Sequence, residues 1–303
     1  MTERTSRFVF VVVLAVALSV TAGCLGAEFE PMDIDIEPDA EEVETDETGD
    51  EILASSLEAV GDAETQTVEA ENAMALGASR LFSLSMSMDS SGEFVTDEFA
   101  HVSTDGVVDV QAFGIFDNET AFETESYSTP NATYTRSAEG DEPMSDWSVN
   151  ETGIDDRPSP FGFEGIEKVL GDADAQLEGV ETVDGDETYV LSLDLDAEGV
   201  ILNSMEAFAL YGSDELEEEE GDDPEDEESD EADLDALDAY VWVDRDTREP
   251  VRLAYYVLAT GLDDEGGDGD DEGIIDAEGA MEFYFDADYT YGEPVDTELP
   301  FSD

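Results

Sequence analysis

Between Leu81 and Asp89 the chain reads LFSLSMSMD. Phe82, Leu84, Met86 and Met88 alternate with Ser83, Ser85 and Ser87. A period of two puts the four apolar side chains on one face of an extended strand and the serines on the other. A helix would scatter the same apolar groups around its circumference, so this stretch buries itself only as one strand of a sheet covered on one side. The rhythm returns at Tyr189, Leu191, Leu193 and Leu195, after a turn at Asp184–Gly185, and in the stretches 239–260 and 278–292. Strand-sized runs separated by turn residues predict an antiparallel meander. Its first strands are Phe94–Ser103, Val107–Phe116, Ala121–Thr129 and Ala132–Arg136, with reversals at Asp105–Gly106, at 117–120 and at Pro130–Asn131.

Helical spacing is rarer. Thr48-Gly-Asp-Glu51 is a capping box, and Ile52, Leu53, Ser56, Leu57 and Val60 follow on one face. Phe161–Gly171 reads as a short helix and Gly199–Tyr211 as an amphipathic one, with Ile201, Met205, Phe208 and Ala209 on one side. The alanines and Met74 of 68–79 also permit a helix. The expected fold class is α+β: one antiparallel sheet with two or three helices. Two acid-rich stretches, at about 213–238 and 263–273, sit where hairpin loops tolerate long insertions.

Acidic residues number 85 against 9 basic ones, and the formal charge is −76. Such a charge strains a compact state in dilute buffer, whereas at molar salt the screening length shrinks to ~3 Å. A disordered acidic chain would lack core-forming residues, yet this one is 40% hydrophobic, with 15 Phe and 10 Tyr. With Lys168 its single lysine, the composition resembles that of haloarchaeal proteins. The lack of a basic patch argues against nucleic acid as a partner.

The amino-terminal segment has the order of an export signal: Arg4 and Arg7, an apolar run from Phe8 to Val20, then Thr21, Ala22 and Gly23. The run is shorter than the ~20 residues of a comfortable membrane span. The chain's one cysteine, Cys24, follows, and the junction resembles a lipobox, departing from it at Thr21. On this reading residues 1–23 are a signal peptide and Cys24 carries lipid. Residues 24–47 are a flexible acidic tether, and 48–303 form the β-rich domain, lipid-anchored on the extracytoplasmic face of the cell membrane. The alternative is a free cysteine in an uncleaved anchor.

Three stretches carry a family resemblance. GVETVDGDETYVLSLDL (179–195), YVWVDRDTREPVRLAY (240–255) and FYFDADYTYGEPVDTELP (283–300) resemble three successive motifs of the LolA/LppX-like lipoprotein carriers. These are a G-V-E-x-V-D-G-x-x-x-Y hairpin, a V-x-V-D-x-x-T-x-x-P-V-R-L strand pair and a closing Y-x-x-Y-G-x-P-V. The resemblance spans Thr48 to Pro300, and the acidic inserts depart from it. It implies a strongly curved, half-open barrel whose helices cover the concave face and enclose an apolar cavity. Members bind acyl chains or lipoproteins there, and relatives act as sensors. Phe82, Leu84, Met86, Met88, Leu191, Leu193, Met205 and Phe208 are then candidate cavity lining. Equally, a period-two apolar face is what any half-buried strand carries, and the same residues would pack a dry core.

No catalytic constellation is readable. The single histidine, His101, has no G-x-S-x-G elbow and falls in a strand. The stretch 266–274 matches one calcium-repeat unit, but Gly273 stands at its large apolar position. Read as an EF-hand, the same region has Gly279 at position twelve, where glutamate belongs. Sequons at Asn118, Asn131 and Asn150 are candidate glycosylation sites at turns and in a loop. The sequence therefore predicts a monomeric, non-enzymatic lipoprotein without cofactor or metal. Its expected partners are the membrane, through Cys24, and a lipid or other apolar ligand. The alternative is a surface sensor or interaction module with a filled core.

Overall fold

The structure is a computed structural model that describes residues 32, 34, 36–78, 82–96, 98–112, 116–151, 162–171, 173–195, 233–260, 279–297 and 299. Cys24, the expected helix 199–211 with Met205 and Phe208, and the insert 263–273 lie outside the described residues.

Helix α1 (Gly49–Asp62) starts where the capping box places it. Thr48 Oγ1 accepts from Glu51 N at 3.3 Å, and Thr48 N donates to Glu51 Oε2 at 2.9 Å. Its buried stripe is Ile52, Leu53, Ser56 and Val60. Strands β1 (Thr65–Ala78), β2 (Phe82–Val95), β3 (Phe99–Ala112), β4 (Phe116–Thr129), β5 (Ala132–Glu139) and β6 (Ser148–Asn150) follow. Helix α2 (Phe163–Leu170) leads to β7 (Asp174–Val183), β8 (Asp186–Asp194), β9 (Asp233–Asp244), β10 (Pro250–Thr260) and β11 (Gly279–Tyr291).

The eleven strands of the described residues form one unclosed, curled antiparallel sheet in the order β6-β5-β4-β3-β2-β1-β11-β10-β9-β8-β7. The chain enters at the centre, steps outward to β6, crosses through α2 to the far edge at β7, and steps back until β11 lies against β1. The two helices of the described residues pack on one face, here called the inner face. There Ile52, Leu53, Val60, Ile166 and Leu170 join strand residues such as Leu191, Val241 and Phe283 in the main core.

Several local expectations are corrected. Residues 65–78 are a strand, not a helix, because Gln66, Val68, Ala70, Asn72 and Met74 are buried in a period of two. Asp105–Gly106 is no turn: Gly106 lies within β3, opposite Met88 and Phe122. A Cβ there would meet the Phe122 ring at 2.4 Å, so the glycine serves a close approach rather than a reversal. Residues 117–120 likewise lie inside β4. Strand β9 begins at Asp233, not Ala239, and so takes in the end of the first acidic stretch; Leu237 reaches the core.

The segment expected to be a free tether is docked along much of its length. Met32 N donates to both carboxylate oxygens of Glu282 at 3.0 Å, and Tyr256 OH donates to Glu282 Oε1. Ile36 and Ala40 cover Val190, Trp242 and Ala254, a small apolar cluster on the outer face. Glu41 pairs with Val180 through bonds of 2.8 and 2.9 Å. That pairing gives the edge strand β7 a partner. It requires Gly179, since a Cβ there would lie 2.3 Å from the Glu41 carbonyl. Glu47 then meets Arg248 at 2.8 Å.

Candidate functional site on the inner face

The pairing registers arrange the inner face in rows across the strands, since directly opposed residues share a face. One row runs Thr124, Thr104, Ser90, Ala70, Ala287, Leu253, Val241, Leu191, Leu177. The next holds Phe122, Gly106, Met88, Asn72, Phe285, Tyr255 and Ala239. Beyond it lie Val108, Met86, Met74, Phe283, Val257 and Leu237, then Val110, Leu84, Leu76, Met281 and Ala259.

Four methionines, Met74, Met86, Met88 and Met281, thus cluster over β1, β2 and β11. Three are buried and Met86 is half-buried. Unbranched thioether side chains adapt to apolar partners of varied shape. Leu84, Met86, Met88, Leu191 and Leu193 all reach this face, as the alternation predicted. Phe82 lies in β2, its side chain outside the described residues. The β8–β10 half is filled: Leu191, Val241, Val243 and Val257 are 0% exposed.

Polar side chains interrupt the β1–β3 half. Ser90 and Thr104 hydrogen-bond each other at 2.9 Å, at 5% and 0% exposure. Both amide atoms of Gln66, Asn72 Nδ2 and, on neighbouring β11, the Tyr291 hydroxyl are buried without a hydrogen-bond partner among the described residues, as are Ser56 Oγ in α1 and, elsewhere, His101 Nε2, Asp109 Oδ1 and Arg248 Nη1. Buried polar groups in native proteins are almost always bonded, so such a set asks for an explanation. Burial, with the Tyr289 and Glu249 charges added, pushes the Tyr291 phenol well above its ordinary range, so it stays protonated. Sequence reasoning missed Gln66 and Asn72. The signal was present: both stand in the apolar phase of β1, while Glu69 and Glu71 stand in the other.

The outer face is ionic. Arg252 pairs with Asp286 at 2.5 Å and lies 4.8 Å over Trp242, whose indole donates to Glu181 at 2.8 Å. His101 stacks on Tyr127 at 4.2 Å, between Glu93 at 3.5 Å and Glu125 at 3.3 Å. Arg136 donates two hydrogen bonds to Glu125 and lies 4.6 Å over Trp147. Desolvation of Glu125 opposes ionisation, but hydrogen bonds from Arg136 and Tyr127 outweigh it and hold the carboxyl below its usual range. Burial and the Glu125 bond push Tyr127 up to about 12. His101 therefore belongs to a packed ionic cluster. Among the described residues, no group of three or more His, Cys, Asp or Glu is placed to hold a metal ion, and no helix is long and apolar enough to cross a membrane.

Of the three sequons, Asn131 occupies the β4–β5 turn and is exposed. Asn150 ends β6 and is exposed. Asn118 corrects the turn expectation: it lies in β4 opposite Val110, on the inner-face register, with its amide donating to Thr120 Oγ1 at 2.9 Å.

No family model matches the chain, and no curated protein matches it. Solved structures do. A LolA superfamily protein from Nitrosomonas europaea is 11% identical, covering 80% of this chain and 91% of its own, with a TM-score of 0.22. A DUF1329 family protein from Desulfovibrio piger is 15% identical, covering 78% and 88%, with a TM-score of 0.20. A domain described as an outer membrane lipoprotein-sorting protein, from Vibrio parahaemolyticus, is 10% identical, covering 81% and 93%, with a TM-score of 0.21.

Proposed function

We propose that this chain is a lipid-anchored, extracytoplasmic, non-enzymatic binding protein. It holds a lipid or other apolar ligand between the inner face of its sheet and the helices. The observation that carries the reading is the methionine cluster of Met74, Met86, Met88 and Met281, which shares its face with buried, unpartnered polar groups. A sheet that only needed a filled core has no use for those groups, and each costs roughly 1–3 kcal/mol when left unpaired. Apolar burial, worth about 25 cal/mol per Å², would drive binding.

Anchoring rests on the order of segments before Cys24, and the docked strap sharpens it. If lipid sits on Cys24, the docked Met32 is eight residue steps away, which span at most ~29 Å. The domain would then ride close to the membrane rather than at the end of a 24-residue leash. A second reading, a sensor or interaction module with a filled core, draws support from the fully buried β8–β10 half.

The test is purification of the Cys24→Ser chain at molar salt, followed by lipid extraction, native mass spectrometry and titration with a fluorescent acyl probe. Co-purifying lipid or saturable probe uptake is expected. Neither would leave the filled-core module as the reading. The same substitution should release the protein from membranes, and unchanged retention with unchanged mass would refute lipidation.

A further inference from the structure

Gln66 and Tyr291 face each other directly across the β1–β11 pair. Gln66 is 1% exposed, and neither its Oε1 nor its Nε2 has a partner among the described residues. The Tyr291 hydroxyl beside it is buried and equally unpartnered. Phe94, 3% exposed, closes the other side of Gln66. Two adjacent polar side chains that neither reach water nor satisfy each other leave an amide donor, an amide acceptor and a hydroxyl open at one place. Among the described residues, no salt-bridge partner stands there to match an ion.

Along β1 from this place the same face carries Val68, between Gly92 and Tyr289, before it becomes small and then soft. Ala70 lies between Ser90 and Ala287, two small neighbours. Asn72 follows, its Nδ2 unpartnered, about 20 Å from Gln66 at ~3.4 Å per residue. Met74 and Met86 lie opposite each other one row further. The strand thus offers a neutral polar station at one end, an apolar stretch through Val68 and Ala70, and an adaptable apolar end with one spare donor on the way.

We propose that the inner face takes a single-chain amphiphile with an uncharged hydroxyl- or amide-type headgroup, the head at Gln66 and Tyr291 and the chain running toward Met74 and Met86. This rests on the ligand-binding reading above and goes further by naming the ligand class. Electrostatics favour a neutral head over an anionic one. The Glu249 carboxylate already acts on Tyr291, and Gln66 and Tyr291 bring no cation, so a free carboxylate or phosphate would give up its hydration with no counter-charge among the described residues to meet it. A cationic head would exchange its hydration for neutral dipoles.

The experiment titrates the Cys24→Ser chain at molar salt with monopalmitoylglycerol, hexadecanol, palmitate, hexadecyltrimethylammonium and hexadecane, read by native mass spectrometry and calorimetry. The glycerol and alcohol ligands should bind about tenfold or more tighter than palmitate or the ammonium, the worth of one to two net hydrogen bonds. Gln66→Leu should erase that preference while keeping hexadecane uptake. Its ligand-free melting point should be no lower than the parent's, because an unpaired buried amide has been removed. Tyr291→Phe, which deletes a single hydroxyl, should weaken the same preference in a less disturbed core. Palmitate or the ammonium binding as well as the alcohol would overturn the headgroup assignment. So would variants that melt several degrees lower with the preference intact, which would mean that an internal water satisfies the pair. If hexadecane binds but no headgroup matters, this proposal fails and the ligand-binding reading survives; if nothing binds, both fail.

Discussion

Ser90 and Thr104 make a test of how the inner face is held. Their hydroxyls meet at 2.9 Å, at 5% and 0% exposure, in directly opposed positions of β2 and β3. Thr104→Val keeps the shape and removes the hydroxyl, leaving Ser90 with a buried, unpaired group, which costs about 1–3 kcal/mol. Ser90→Ala should cost less. Thr124 stands directly across β3–β4 from Thr104, is 4% exposed, and offers the orphaned threonine a second hydroxyl. The double variant leaves nothing unpaired and should come within about 1 kcal/mol of the parent, so the coupling energy should be about 1–2 kcal/mol. Denaturant midpoints at one fixed molar salt concentration measure it. In melting terms, Thr104→Val should lose about 2–12 °C, at ~2–4 °C per kcal/mol for a domain of this size. Additive single effects, or a double variant as unstable as the sum of the singles, would refute the claim that the bond, rather than packing, is what these residues contribute.

Removing the helix cap with Thr48→Ala should cost ~1 kcal/mol and lower the melting point by a few degrees, with Thr48→Ser restoring most of it; no change would mean that α1 is held by its core face alone. Because the Glu125 pKa is held below its usual value in the fold, its stabilisation is fully present above the unfolded carboxyl range and is lost as pH falls through the folded value. Glu125→Gln should therefore destabilise at pH 7 by about 1–2 kcal/mol, and the gap to the parent should close in acid; a pH-independent gap would contradict the Arg136 pairing. Deleting 25–41 should uncover Trp242 and red-shift its emission, read in a Trp147→Phe background; an unchanged spectrum would show that Ile36 and Ala40 do not cover it. In the intact chain the amides of Glu41 and Val180 should exchange slowly, as their mutual bonds require.

Legibility followed the range of the cause. The capping box at Thr48–Glu51 and the Asp184–Gly185 hairpin are local chemistry, and both stand where the spacing puts them. Asp105–Gly106 carries the same dipeptide signal as a hairpin yet lies in mid-strand, because the demand on Gly106 comes from the Phe122 ring on the neighbouring strand. The alanines of β1 masked a strand whose alternation was nonetheless written in Glu69 and Glu71. In the acidic leader, Met32, Ile34 and Ile36 alternate with Asp33 and Asp35, a strand-like rhythm hidden by the charge.

By itself the sequence determined the α+β class, the antiparallel meander, the apolar face carrying Leu84, Met86, Met88, Leu191 and Leu193, and the lipobox-like junction at Cys24. Each of these is a pattern that a few neighbouring residues complete. Only the tertiary structure decided that β11 closes against β1, that Ile36 and Ala40 cover the outer face while Glu41 pairs the β7 edge, and that Gln66 and Tyr291 meet without hydrogen-bond partners among the described residues. The physical reason is distance along the chain. Which strand lies beside which is settled by burying the whole face at once, and 225 residues separate Gln66 from the hydroxyl it faces.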